Sequence, residues 1–69
     1  MNIDIEVNSN WIHKNGKTYV VLLIANESSI NSEYPITIVY VGKNGKVWCK
    51  TLNNFLTTMV PLEEKELDT

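Results

Sequence analysis

Hydrophobic and polar residues alternate in short runs along this chain, and glycine-containing polar tetrapeptides separate the runs. Two β-rich stretches, residues 36–41 (Ile-Thr-Ile-Val-Tyr-Val) and 47–51 (Val-Trp-Cys-Lys-Thr), flank Gly42-Lys43-Asn44-Gly45-Lys46. Asn-Gly between such runs predicts a β-hairpin, because a two-residue type I′ turn needs positive φ at both central positions. With Asn44 and Gly45 as the loop, Lys43 pairs with Lys46, Val41 with Trp48, Tyr40 with Cys49 and Val39 with Lys50. One face then carries Ile36, Ile38, Tyr40, Val47, Cys49 and Thr51; the other carries Thr37, Val39, Val41, Lys46, Trp48 and Lys50. A four-residue loop keeps these faces, whereas a three- or five-residue loop turns one strand over.

The remaining pattern is of the same kind. Residues 2–7 alternate, with Ile3, Ile5 and Val7 on one side, and predict a half-buried strand that can equally pair with a second subunit. Trp11-Ile12-His13 opens a second short strand, and Lys14-Asn15-Gly16-Lys17 repeats the tetrapeptide of residues 43–46. A second tight hairpin follows, with His13 opposite Thr18 and Trp11 opposite Val20. Two hairpins of similar geometry select similar turn chemistry, so the repeat does not require duplication. Residues 18–25 are apolar on both faces, as expected of a bent strand that serves two sheets. Residues 26–33 read as a polar, mobile loop, and Pro35, which has no N–H to donate, delays the next strand. Leu52-Asn53-Asn54-Phe55 reads as one helical turn, residues 56–60 as a final strand stopped by Pro61, and residues 63–69 as a flexible acidic tail after a single domain over residues 1–62. Five to six short antiparallel strands with at most one helical turn predict an all-β fold, a small SH3-like barrel.

Composition narrows the setting. At 43% hydrophobic and 20% charged over 69 residues, the chain is one small globular domain and not a disordered segment. The single cysteine, Cys49, excludes an intramolecular disulfide and points to a reducing, cytoplasmic compartment. The longest apolar run, residues 19–25, is too short to cross a bilayer. Charge is segregated: Lys14, Lys17, Lys43, Lys46 and Lys50 face only Glu27 and Glu33 in the middle of the chain. The flanks hold Asp4, Glu6, Glu63, Glu64, Glu66 and Asp68 against Lys65. Arginine is absent, which argues against bidentate readout of bases or phosphates.

Candidate chemistry is sparse. His13 is the only histidine, and no nucleophile and orienting acid accompany it at a usable spacing, so no catalytic set is assigned. Cys49, opposite Tyr40 on the expected core face, reads as an inert buried thiol. One cysteine and one histidine do not make a metal site, and the three glycines are turn glycines rather than a phosphate loop, so neither metal nor cofactor is expected. Trp48 is the residue of interest: an aromatic ring flanked by Lys46 and Lys50, with Lys43 near, can stack a base or anchor a peptide. The alternative places this face in the core with the lysines extending from its rim. The candidate binding set is Trp48, Lys46, Lys50, Lys43, Trp11 and His13.

The arrangement Trp11-x-His13-Lys14-x-Gly16-x-x-Tyr19-x-Val21, followed by Ala25, Val39-Tyr40, Trp48 and Phe55, resembles a family of small bacterial and phage domains of unknown function. The family pattern opens aromatic-x-His-Lys-x-Gly-x-x-Tyr-x-Val and closes with Val-Val-Tyr, Trp-Val-Arg-Pro and Phe. The match spans residues 11–60 and departs where the chain reads Trp48-Cys49-Lys50-Thr51. The resemblance implies a compact β fold and a role in bacteria or their viruses, and it brings no activity. Together these readings predict a non-catalytic module that docks on another protein, for instance a phage-encoded inhibitor or adaptor acting on a host or defence component. The alternative is a nucleic-acid-binding barrel that uses a lysine and tryptophan face, Lys14, Lys17, Lys43, Lys46 and Lys50 beside Trp48. A homodimer through Ile3, Ile5 and Val7 is a further expectation, and no membrane contact is expected.

Overall fold

The computed structural model describes residues 5–62. Its elements run β1 (Asn10–His13), β2 (Thr18–Ala25), β3 (Thr37–Gly42), β4 (Val47–Thr51), α1 (Leu52–Thr58) and β5 (Met59–Pro61). The strands form one antiparallel sheet in the order β4-β3-β2-β1-β5. β1 to β4 are a meander, and α1 returns the chain so that β5 pairs with β1. The fold is all-β, a small SH3-like barrel, with α1 packed between the two edge strands β4 and β5.

Both hairpins form, but with three-residue loops. Gly16 (φ 92°) and Gly45 (φ 82°) are left-handed, whereas Asn15 and Asn44 are not among the positive-φ residues. His13 N–H donates to Lys17 O and Gly16 N–H to His13 O; Gly42 N–H donates to Lys46 O and Gly45 N–H to Gly42 O. This is a turn followed by a left-handed glycine, the bulged three-residue hairpin. Each asparagine side chain completes it: Asn15 Oδ1 accepts from Lys17 N–H at 2.9 Å and Asn44 Oδ1 from Lys46 N–H at 3.0 Å. The repeated tetrapeptide is thus one turn solution used twice.

The odd loop length corrects the two-residue register. Tyr40 lies opposite Trp48, Val41 opposite Val47, Val39 opposite Cys49 and Ile38 opposite Lys50. β4 is turned over relative to the type I′ expectation. Trp48, Lys46 and Lys50 therefore share the face of Ile38 and Tyr40, not that of Val39 and Val41. Cys49 moves to the outer face and is exposed, which overturns its reading as a buried core thiol. The first hairpin shifts in the same way, with Trp11 opposite Tyr19 and Ile12 opposite Thr18.

The loss of alternation in β2 has a local cause. Val21 pairs with Tyr40, but Leu23 pairs with Val39, so one residue is inserted and the strand bulges. Tyr19, Val21 and Ile24 reach the core, while Leu22 and Leu23 remain exposed. The core is Ile5, Trp11, Val21, Ile38, Tyr40, Phe55 and Met59. Its aromatic rings meet edge to face, Trp11 to Phe55 at 4.9 Å, Phe55 to Tyr40 at 5.5 Å and Tyr40 to Tyr19 at 5.2 Å.

α1 is longer than the single expected turn, and the last strand is correspondingly shorter. The Thr51 side chain caps it by accepting from Asn54 N–H, and Phe55 points inward without exposed surface. Leu52, Phe55 and Met59 recur at helical spacing on the buried side. The N-terminal expectation also changes. Ile5 is buried in the chain's own core, residues 5–7 form no strand, and Val7 is exposed in a turn. Ile3 and residues 63–69 lie outside the described residues.

Candidate functional site

The pairing of Tyr19 with Gly42 brings the two hairpin tips side by side at one end of the sheet. Lys14 and Lys17 from one tip and Lys43 and Lys46 from the other converge there, and all four are exposed. Glu27 and Glu33 sit in the connection between β2 and β3, at the opposite end. Glu6 lines a separate concavity beside Asn10, Pro61 and Leu62. Among the described residues the sheet is therefore electrically polarised along its strands, and its lysine end attracts anions.

Between the tips lies a groove of about 440 Å³, lined by Lys17, Thr18, Tyr19, Gly42, Lys43, Asn44 and Trp48. Its shape depends on a missing side chain. A Cβ on Gly42 would stand 3.0 Å from Tyr19 Cε1 and 3.3 Å from Tyr19 Cδ1, closer than an ordinary contact. Without it the tyrosine ring packs closely against the Gly42 backbone and lines the groove. Trp48, 50% exposed, forms the wall from β4. Beneath Tyr19 the ring of Tyr40 is buried, and burial raises its phenol pKa above the ordinary value, with Tyr19 and Cys49 adding to the effect. The groove thus joins a partly buried phenol ring, a half-exposed indole and ammonium groups on flexible stems.

The sequence-based candidates separate in space. Trp48 and Lys43 line the groove, and Lys46 stands at the tip beside it. Lys50 is drawn away, its Nζ donating to Thr58 Oγ1 at 2.9 Å against α1. Trp11 is 5% exposed and belongs to the core, with Nε1 donating to Ser9 Oγ. His13 uses Nδ1 to accept from Asn15 N–H at 3.0 Å, which makes it part of the first turn. His13 and Cys49 are not brought together: β2 and β3 separate their strands in the sheet. Among the described residues, no group of three His, Cys, Asp or Glu side chains could hold a metal ion.

Sequence reasoning missed Tyr19 and Gly42 as parts of the site, and reached Lys17 only as one of the lysines of the nucleic-acid alternative. A three-residue loop in each hairpin pairs Trp11 with Tyr19 and Tyr40 with Trp48, but the two pairs come to one face only through the pairing of β2 with β3. No protein-family model matches this chain, and no curated protein and no solved structure matches it either.

Proposed function

We propose that this chain is a non-catalytic binding module that docks on another protein through the groove between its hairpin tips. The observation that carries the reading is the convergence of Tyr19 and Trp48 with Lys17 and Lys43 in one open groove. A half-exposed indole and a partly buried phenol ring beside cations suit an extended segment that offers an apolar or aromatic side chain flanked by carboxylates. The rings supply contact area, and the lysines supply steering and orientation. Lysine, unlike arginine, sets no planar geometry on its anion, so the site selects charge and spacing rather than a bidentate pattern.

A second reading rests on the same end of the molecule. A base stacked on Trp48, with phosphates near Lys14, Lys17, Lys43 and Lys46, describes single-stranded nucleic acid. Peptide display against the wild-type chain, with counter-selection against Trp48→Ala, separates the two. The protein reading expects enriched peptides that combine acidic and apolar residues. No enrichment, together with oligonucleotide binding that weakens steeply as salt rises, would replace it with the nucleic-acid reading.

A further inference from the structure

The middle of the outer face of β2, β3 and β4 is apolar where water should meet polar side chains, with Thr18, Thr37 and Thr51 only at its ends. The registers place Val20, Val41 and Val47 in one cross-strand row and Leu23, Val39 and Cys49 in the next. Both rows lie on the side opposite Ile38 and Tyr40. None of the six side chains carries a charge; Leu23 is 49% exposed and Val47 59% exposed. In a sheet with one buried face, alternation leaves polar residues on the other face, and that is not the pattern here. A contiguous apolar patch of this kind marks an interaction surface.

Charge decides what covers it. The patch is neutral, but its ends are not: the four tip lysines stand at one end of these strands, and Glu27 and Glu33 at the other. Two copies can stack these faces about a two-fold axis in two ways. An axis along the strands sets lysine against lysine. An axis across the strands sets each lysine end over the glutamate end of the other copy. We infer that two copies of this chain associate face to face and antiparallel through the Val20–Val41–Val47 and Leu23–Val39–Cys49 rows, held in register by this opposition of charged ends. Aligned sheet-on-sheet packing provides the geometry. Tyr19 and Trp48 lie on the other face, so the aromatic side of the groove stays open in the dimer, while Lys17 and Lys43 belong both to the groove and to the charged end.

The test is sedimentation equilibrium of the full chain from micromolar to millimolar concentration at low and high salt, with folding of each variant checked by circular dichroism. A wild-type dimer that weakens with salt is expected, and Val47→Glu, at an exposed position, should weaken association about tenfold or more. Lys14→Glu, Lys17→Glu, Lys43→Glu and Lys46→Glu together should also weaken it, and adding Glu27→Lys with Glu33→Lys to the same chain should restore it. A short thiol cross-linker at Cys49 should give dimers from wild type and few from Val47→Glu. A monomer at every concentration would overturn the inference. So would a dimer indifferent to Val47→Glu, or a charge swap that fails to restore association.

Discussion

Replacing Gly45 by alanine tests the left-handed residue on which the second hairpin turns. Gly45 has φ 82°, and a Cβ added there meets nothing within 4 Å, so the substitution creates backbone strain and no clash. The left-handed conformation costs an L-residue roughly 1–2 kcal/mol. Loss of glycine's freedom in the unfolded chain offsets about 0.4–1 kcal/mol of that. The net expectation is about 1 kcal/mol, or a fall in Tm of about 4–8 °C for a domain of this size. Gly16 has φ 92° and equally open surroundings, so Gly16→Ala should cost the same and the double variant about 2 kcal/mol. Thermal and urea melts followed by circular dichroism measure it. Asn44→Gly is the discriminating control. In a type I′ turn Asn44 would need positive φ, and glycine would relieve it. In the bulged loop the change removes the bond from Lys46 N–H at 3.0 Å and should cost about 0.5–1 kcal/mol. A neutral Gly45→Ala, or a stabilising Asn44→Gly, would refute the three-residue loop and the faces built on it.

Other expectations follow from the core and the surface. Phe55→Ala removes a fully buried ring that touches Trp11 and Tyr40 and should cost about 3–5 kcal/mol, enough to abolish a cooperative melt in so small a domain; a retained sharp transition would contradict this placement. Tyr40 holds its proton in the folded state at pH values where the unfolded chain has lost it. Stability should therefore be complete below about pH 10 and fall as pH rises further, and Tyr40→Phe should flatten that loss in urea melts taken across alkaline pH; equal slopes would rule the cause out. Cys49 should react with a thiol reagent in the folded, dilute protein nearly as fast as in urea, because it sits on the outer face; strong protection would return it to the core. Gly42→Ala should displace the Tyr19 ring, which an altered near-ultraviolet circular dichroism signal with little change in the far-ultraviolet would report.

The sheet was legible from alternation and from the two Asn-Gly turns, because those signals are local. The registers were less so. A two-residue and a three-residue loop use the same Lys-Asn-Gly-Lys letters, and only the asparagine's choice between positive φ and a side-chain bond to the second lysine separates them. One residue of slip was enough to exchange Trp48 and Cys49 between faces. The length of α1 was hidden by Thr57 and Thr58, which have weak helix propensity and read as strand, although Leu52, Phe55 and Met59 keep helical spacing. Both threonine hydroxyls donate to Asn54 O at 2.9 Å, so the helix accommodates them by bonding back to its own backbone. The bulge after Val21 left only a smear of apolar residues in the pattern, because an inserted residue breaks the period that would mark each face. Lys43 and Trp48 were found as candidates, but Tyr19 and Lys17 join them only through the pairing of β2 with β3, which no short-range signal specifies.

The most direct measurement is an amide and indole chemical-shift titration of the isotopically labelled chain with an acidic, apolar-containing peptide from the display experiment. The largest changes should fall on Lys17–Tyr19, Gly42–Asn44 and the Trp48 indole, and Lys17→Glu with Lys43→Glu should remove them while the chain stays folded. Shifts clustered on the 26–36 loop around Ile30, or spread over the outer face of β3 and β4, would contradict this.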